Sequence, residues 1–144
     1  MTIRCEIVSQ DRIVFQDDVD MVVLPGAAGD MGILPHHAPV LSVLNFGIIT
    51  VKKSGNEEHF TVAGGVAEVQ PDQVTILADA AENVEEIDVQ RALSARQKAE
   101  ERLKEIQTVD KDRYMKMVAA LKRSNLRIRA ASKYRTDLKN QVLK

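Results

Sequence analysis

Apolar and polar residues alternate at the start of the chain, where Ile3, Cys5 and Ile7 are separated by Arg4 and Glu6. A period of two marks a strand with one buried face. Short apolar runs follow. Residues 20–24 end at Pro25-Gly26, a turn signal, and residues 40–44 form another run. Residues 47–52 and 59–63 flank Lys53-Ser54-Gly55-Asn56, and residues 65–69 and 74–78 flank Gln70-Pro71-Asp72-Gln73. Each pair predicts a hairpin. Short strands at this spacing predict a small antiparallel sandwich or barrel over roughly the first 80 residues.

The period then changes. Val89, Ala92, Leu93, Ala95, Ala99, Leu103 and Ile106 recur at helical spacing. Asp88 is placed to cap this helix, since its carboxylate can accept from the free amides of the first turn. Glu82, Glu85 and Glu86 lie just before it, near the positive end of the helix dipole. Past a polar link around residues 107–110, a second stripe runs through Tyr114, Met117, Val118, Leu121, Ile128, Ala131, Leu138 and Val142. Two stripes and a short link predict an antiparallel helical hairpin. Alanine dominates the first stripe, so the hairpin has a thin core and is a candidate for movement.

Composition sharpens this division. All seven Gly and all four Pro lie at or before Pro71. Residues 1–80 hold 4 basic and 11 acidic side chains, a net of −7, and residues 81–144 hold 16 and 10, a net of +6. Residues 111–144 alone hold 11 basic and 2 acidic. Two modules with opposite fields account for a chain of 144 residues whose net charge is only −1. No run of 18 apolar residues occurs, so direct membrane insertion is not expected. The start of the chain lacks the apolar stretch of a secretory signal, and the single cysteine cannot form an internal disulfide. A reducing compartment is expected.

The residues offer no catalytic constellation. His36 and His37 are adjacent and make a poor metal set with Asp30, and Cys5 points inward by alternation. Phosphate-loop, dinucleotide and nucleophile-elbow motifs do not occur. The stretch 26–39 is dense in Gly and Pro, which suits either a tight connection or a binding loop on a rigid sheet. The basic second helix has three readings: a solvated face, an RNA-binding tail, or a surface for an anionic partner. The acidic front and the scarcity of stacking aromatics weigh against RNA. Arg123 and Arg127 are four apart, so they project together, and a guanidinium pair suits a phosphate.

Three segments carry a family resemblance: Gly-Asp-Met-Gly-Ile-Leu-Pro-His-His-Ala-Pro at 29–39, Val-Ala-Gly-Gly-Val-Ala-Glu-Val at 62–69, and Val-Thr-Ile-Leu-Ala-Asp at 74–79. In this order, ahead of a Gly-free helical tail, they resemble the epsilon subunit of the bacterial and chloroplast F-type ATP synthase, equivalent to the mitochondrial delta subunit. The resemblance implies an α+β chain, with an antiparallel β-sandwich of about ten strands at 1–84 and a two-helix hairpin at 85–144. It implies a non-catalytic rotor subunit that helps couple proton flow to ATP synthesis. The sandwich would grip the gamma subunit and rest on the c-subunit ring through Asp30 and His37, with Asp30 standing where Glu is commoner. The hairpin would brake ATP hydrolysis by extending toward the catalytic beta and alpha subunits. The complex would place the chain peripherally on the cytoplasmic face of the plasma membrane, or on the stromal thylakoid face in a plastid. No nucleic acid is expected as a partner.

Some members of the family also bind ATP in the folded hairpin. Their Ile/Leu-Asp-x-x-Arg-Ala motif matches Ile87-Asp88-Val89-Gln90-Arg91-Ala92. Their upstream Glu matches Glu82, and two helix-borne arginines match Arg123 and Arg127. A further arginine falls on Lys98, which keeps the charge and loses the fork. The resemblance therefore implies no catalytic cofactor and ATP as a regulatory ligand.

Overall fold

A computed structural model describes residues 1–106 and 110–135. Residues 107–109, and with them most of the polar link, lie outside the described residues, as do Leu138 and Val142 of the second stripe. The described chain forms two compact units, one over residues 1–84 and one beginning at Glu85.

The first unit contains eight strands: β1 (Ile3–Val8), β2 (Ile13–Val19), β3 (Met21–Gly26), β4 (Gly29–Ile33), β5 (Val40–Lys53), β6 (Asn56–Val69), β7 (Gln73–Ala78) and β8 (Ala81–Asn83). They pair in the order β2-β1-β7-β6-β5-β3-β4, and β8 adds to β6. Every pairing is antiparallel except β1 with β7. The count is eight rather than about ten because apolar runs that read as separate strands are continuous. Residues 40–44 and 47–52 join in β5, and residues 59–63 and 65–69 join in β6, each of 14 residues. The first half of β6 pairs with β8 through Phe60–Val62, and its second half pairs with β7 through Gly65–Val69. One long strand thereby serves both layers. The change of partner falls at Gly64 and Gly65, whose φ values are 88° and 138°. A Cβ on Gly65 would lie 2.3 Å from the Leu77 carbonyl oxygen, so only glycine fits there.

Pro25-Gly26 does not end β3. Both residues are buried within it, and the turn is at Ala27-Ala28. The β3–β5 register shifts between Val23 and Gly26, so Pro25 sits at a bulge where its missing N–H is not needed. Gly47 leaves the room, since a Cβ there would meet Pro25 Cβ at 2.7 Å. The predicted Ser54-Gly55 hairpin closes with positive φ at both residues, 51° and 81°, the two-residue turn whose twist matches its strands. Lys53 Nζ then donates to Asp17 Oδ2 at 2.7 Å, tying the hairpin to β2. That bond holds the Asp17 carboxyl below its usual range and Lys53 above its own.

Inward positions of all the long strands fill the core: Ile3, Ile7, Val19, Val22, Leu24, Ile33, Ile49, Phe60, Val62 and Ile76 are fully or almost fully buried. Phe15 and Phe60 meet at 5.2 Å between ring centroids. Cys5 lies in this core, as its alternation predicts.

The second unit contains α1 (Val89–Glu105) and α2 (Lys111–Tyr134), packed against each other. Ala92 and Ala99 are the buried residues of α1, while Leu93 and Leu103 are half-buried. Ala95 and Tyr114 of the expected stripes are exposed instead. In α2 the buried set is Ser124, Leu126, Ile128, Ala130 and Ala131, wider than the stripe read from spacing. Ser124 fits there by donating to the Ala120 carbonyl at 3.0 Å.

Burial pushes the Cys5 thiol from 9.0 up to about 12, with the Glu6 charge adding and Arg4 opposing. The folded chain therefore keeps a proton that the unfolded chain releases in mild alkali. This contribution is complete below pH 9 and is lost as pH rises toward 12. Denaturation of the wild type and Cys5→Ala across that range should show an extra loss in the wild type of about 1.4 kcal/mol per pH unit. Parallel pH profiles would place the thiol in contact with water.

Candidate functional site

Asp88 starts α1 as the sequence predicts. Its backbone is extended, with φ −81° and ψ 97°, and its Oδ1 accepts from Arg91 N–H at 3.0 Å. Its carbonyl accepts from Ala92 N–H at 3.0 Å and opens the helical ladder. Asp110 starts α2 in the same way, with Oδ1 accepting from Arg113 N–H at 3.2 Å. An Asp three residues before an Arg is thus a helix start at both places, and at Asp110 the rest of the motif is missing.

Arg91 and Lys98 are exposed and seven residues apart, two turns along one face of α1. Arg123 is exposed and Arg127 half-buried on α2. The side chain of Arg135, just past α2, donates to the carbonyl of Ile87, just before α1, with Nη1 to O at 2.6 Å. This contact fixes the antiparallel register at the open end of the hairpin. Counting 1.5 Å per residue from it, Arg91 lies roughly 6 Å along α1 and Lys98 roughly 17 Å, while Arg127 lies roughly 12 Å back along α2 and Arg123 roughly 18 Å. Arg91 and Arg127 therefore lie toward the open end, Lys98 and Arg123 stand at similar depth near the middle, and Ile87 and Asp88 stand at the end itself. Glu82 is in β8 of the first unit, where its carbonyl accepts weakly from Thr61 Oγ1 at 3.5 Å.

A cleft of about 880 Å³ opens at the other end of the hairpin, lined by Arg102, Glu105, Asp110, Arg113 and Lys116 among others. It is separated from Asp88 by the length of α1, about 25 Å. Sequence reasoning had not singled out this cleft. Among the described residues, no group of three His, Cys, Asp or Glu side chains could hold a metal ion, and no helix is long and apolar enough to cross a membrane.

In the first unit, Asp30 is exposed on β4, opposite Pro25. His37 lies in the connection to β5, and its Nδ1 donates to the Ala38 carbonyl at 2.7 Å. The neighbouring His36 takes a positive φ of 68°, and its N–H is held by the Pro71 carbonyl at 2.7 Å. The stretch 26–39 is therefore a pinned hairpin and connection rather than a slack loop.

A second surface was not singled out from the sequence. Register places Val43 opposite Val66, Val66 opposite Leu77, Leu77 beside Val8, and Val8 opposite Ile13. These five form one apolar row across β5, β6, β7, β1 and β2. Val43, Leu77 and Ile13 are 62%, 57% and 60% exposed, and Leu41 beside Val43 is 71% exposed. The signal was available: if Ile7 and Ile76 point inward, Val8 and Leu77 must point out. An apolar row exposed at Val43, Leu77 and Ile13 and half-buried at Val66 and Val8 is the mark of an interaction surface.

Comparison with known proteins gives one family. The family models described as "ATP synthase, Delta/Epsilon chain, beta-sandwich domain" and "ATP synthase, Delta/Epsilon chain, long alpha-helix domain" match residues 2–84 and 85–132. An ATP synthase epsilon chain of Dehalococcoides mccartyi is 41% identical over 139 residues, covering 92% of this chain and 94% of its own. One from Syntrophobacter fumaroxidans is 46% identical over 131 residues, covering 91% and 96%. A chain in the mitochondrial ATP synthase of Euglena gracilis, solved as OSCP, F1 and c-ring, superposes with a TM-score of 0.70 at 26% identity, covering 84% of this chain and 76% of that one. A chain from the central stalk and c-ring of the Tetrahymena thermophila mitochondrial enzyme shares the fold at 12% identity, with a TM-score of 0.50 over 61% and 71%.

Replacing the α1 cap with Asp88→Ala leaves the Arg91 amide without its acceptor. Stability of the second unit should fall by about 1 kcal/mol, read from helical ellipticity during thermal unfolding. Asp110→Ala should cost a similar amount, and no loss at either position would mean that water caps these helices equally well.

Proposed function

We propose a rotor role for this chain, which belongs to the epsilon-chain family of the F-type ATP synthase. In this reading it is a non-catalytic subunit of the central stalk that helps couple proton flow to ATP synthesis. The sandwich is the fixed part, gripping the gamma subunit and resting on the c-ring through Asp30 and His37. The hairpin is the movable part. Closed, it leaves ATP hydrolysis free; extended toward the alpha and beta subunits, it inhibits hydrolysis. The chain sits peripherally on the cytoplasmic side of the membrane, held by the complex.

The exposed row from Val43 through Leu77 to Ile13 is the observation that carries this reading. An apolar band on a rigid sheet calls for a partner of matching shape, and in a stalk subunit that partner is the neighbouring stalk subunit. Leu77 is exposed, so Leu77→Asp should leave stability within about 0.5 kcal/mol. It should weaken binding of the purified chain to the gamma subunit at least tenfold, read by calorimetry or by retention on immobilised gamma. Unchanged binding would move the gamma contact to another face.

The cations on both helices support ATP as regulatory ligand. Arg91, Lys98, Arg123 and Arg127 stand on two helices, so a triphosphate touching both would exist only in the closed form and would favour it. ATP should bind the full chain saturably in a calorimetric titration, with Glu82 a further contact. Arg91→Ala and Arg123→Ala should each abolish that binding. Absence of heat up to millimolar ATP would leave Ile87–Ala92 as a helix start alone.

A further inference from the structure

The bond between Arg135 and Ile87 joins groups 48 residues apart at the open end of the hairpin. The Ile87 carbonyl has particular need of it. Ile87 is 2% exposed, so water does not supply a donor. The amide that a helix would send to it is Arg91 N–H, and that amide is bound to Asp88 Oδ1 instead. The ladder begins one residue later, with Ala92 N–H to the Asp88 carbonyl. A buried carbonyl outside the ladder must find another donor, and the guanidinium provides a charged one. Arg135 is itself held in place: its N–H caps α2 on the Ala131 carbonyl at 3.1 Å, and its backbone leaves the helix at φ −74° and ψ 130°.

We propose that Arg135 is the clasp of the hairpin. The connecting link holds α1 and α2 together at one end. At the other, the guanidinium on the Ile87 carbonyl sets how readily the two helices part. Its regulatory use rests on the reading of the hairpin as a nucleotide-responsive brake, but its geometry does not. It also makes Arg135 a positioning residue for the proposed ATP site: it fixes the start of α1 against the end of α2 without being required to touch the ligand.

Spin labels at Ser94→Cys and Arg129→Cys, both exposed positions on facing helices, report the separation in the full chain, and the buried Cys5 does not compete. Arg135→Ala should raise the ratio of open to closed hairpin about tenfold. Arg135→Lys should fall between, because it keeps the charge and loses the fork. Lys133→Ala, whose ammonium lies over the Tyr134 ring, should change nothing. A wild-type distance distribution in Arg135→Ala would overturn the clasp. If Arg135→Ala loses helical ellipticity, Arg135→Lys decides, and an unchanged ratio there overturns it equally. Adding ATP separates the two ideas. Opening in Arg135→Ala with no response of the wild type to ATP upholds the clasp and removes the nucleotide reading. The opposite pattern removes the clasp.

Discussion

Apolar burial is divided unequally between the two units, and that imbalance governs what each can do. In the first, branched and aromatic side chains from Ile3 to Ile76 fill one continuous core. In the second, α1 buries only two alanines, Ala92 and Ala99, against Leu126, Ile128, Ala130 and Ala131 of α2. Burying an alanine methyl contributes about 0.8 kcal/mol, against up to about 3 kcal/mol for a leucine or phenylalanine. Polar contacts therefore decide more of the hairpin's closure than of the sandwich's. The Arg135–Ile87 bond is a contact of that kind, while the caps at Asp88 and Asp110 each hold one helix by itself. A seam held in this way can be shifted by a ligand or partner that supplies a few kcal/mol.

The sandwich needs the opposite property. The long β5 and β6 strands pair along most of their length, and β6 also joins β7 and β8, which ties the strands into one frame. Gly64 and Gly65 let β6 change partners without breaking, and Gly47 makes room for Pro25. The rigid frame then presents Val43, Val66, Leu77, Val8 and Ile13 as one row. Rigidity on one side of the residue 84–85 boundary and a thin seam on the other suit a fixed grip joined to a movable regulator.

Much of this was legible in the sequence. Alternation at Ile3, Cys5 and Ile7 predicted their burial, and the loss of Gly and Pro after residue 71 foretold the helical half. Asp88 was readable as a cap because capping depends on residues three apart. What lay hidden depends on contacts remote in the chain. β2 and β4 lack clean alternation, since Asp17-Asp18 and Gly29-Asp30 interrupt them, and only pairing with β1 and β3 makes them strands. The continuity of β6 is masked by two glycines that look like a break. Of the candidate ATP residues, the spacing of Arg123 and Arg127 was readable and Arg91 and Lys98 came from the family resemblance, but the matching depth of the two helices follows from Arg135, which no local motif marks. The apolar row depends on the same remote pairing, since Val8, Leu77, Val66, Val43 and Ile13 come from five strands that only the register lines up.

In the proposed reading, a fixed grip and a movable brake are separable parts of one chain. The most direct measurement compares ATP hydrolysis and proton-driven ATP synthesis by a synthase reconstituted with the full chain or with a chain ending at Val84. That cut keeps β8 in the sandwich, whereas a cut at Asp79 would remove it. If grip and brake are separable, the shortened chain still assembles and supports synthesis, while hydrolysis rises several-fold. Unchanged hydrolysis, or loss of synthesis along with the hairpin, would contradict it.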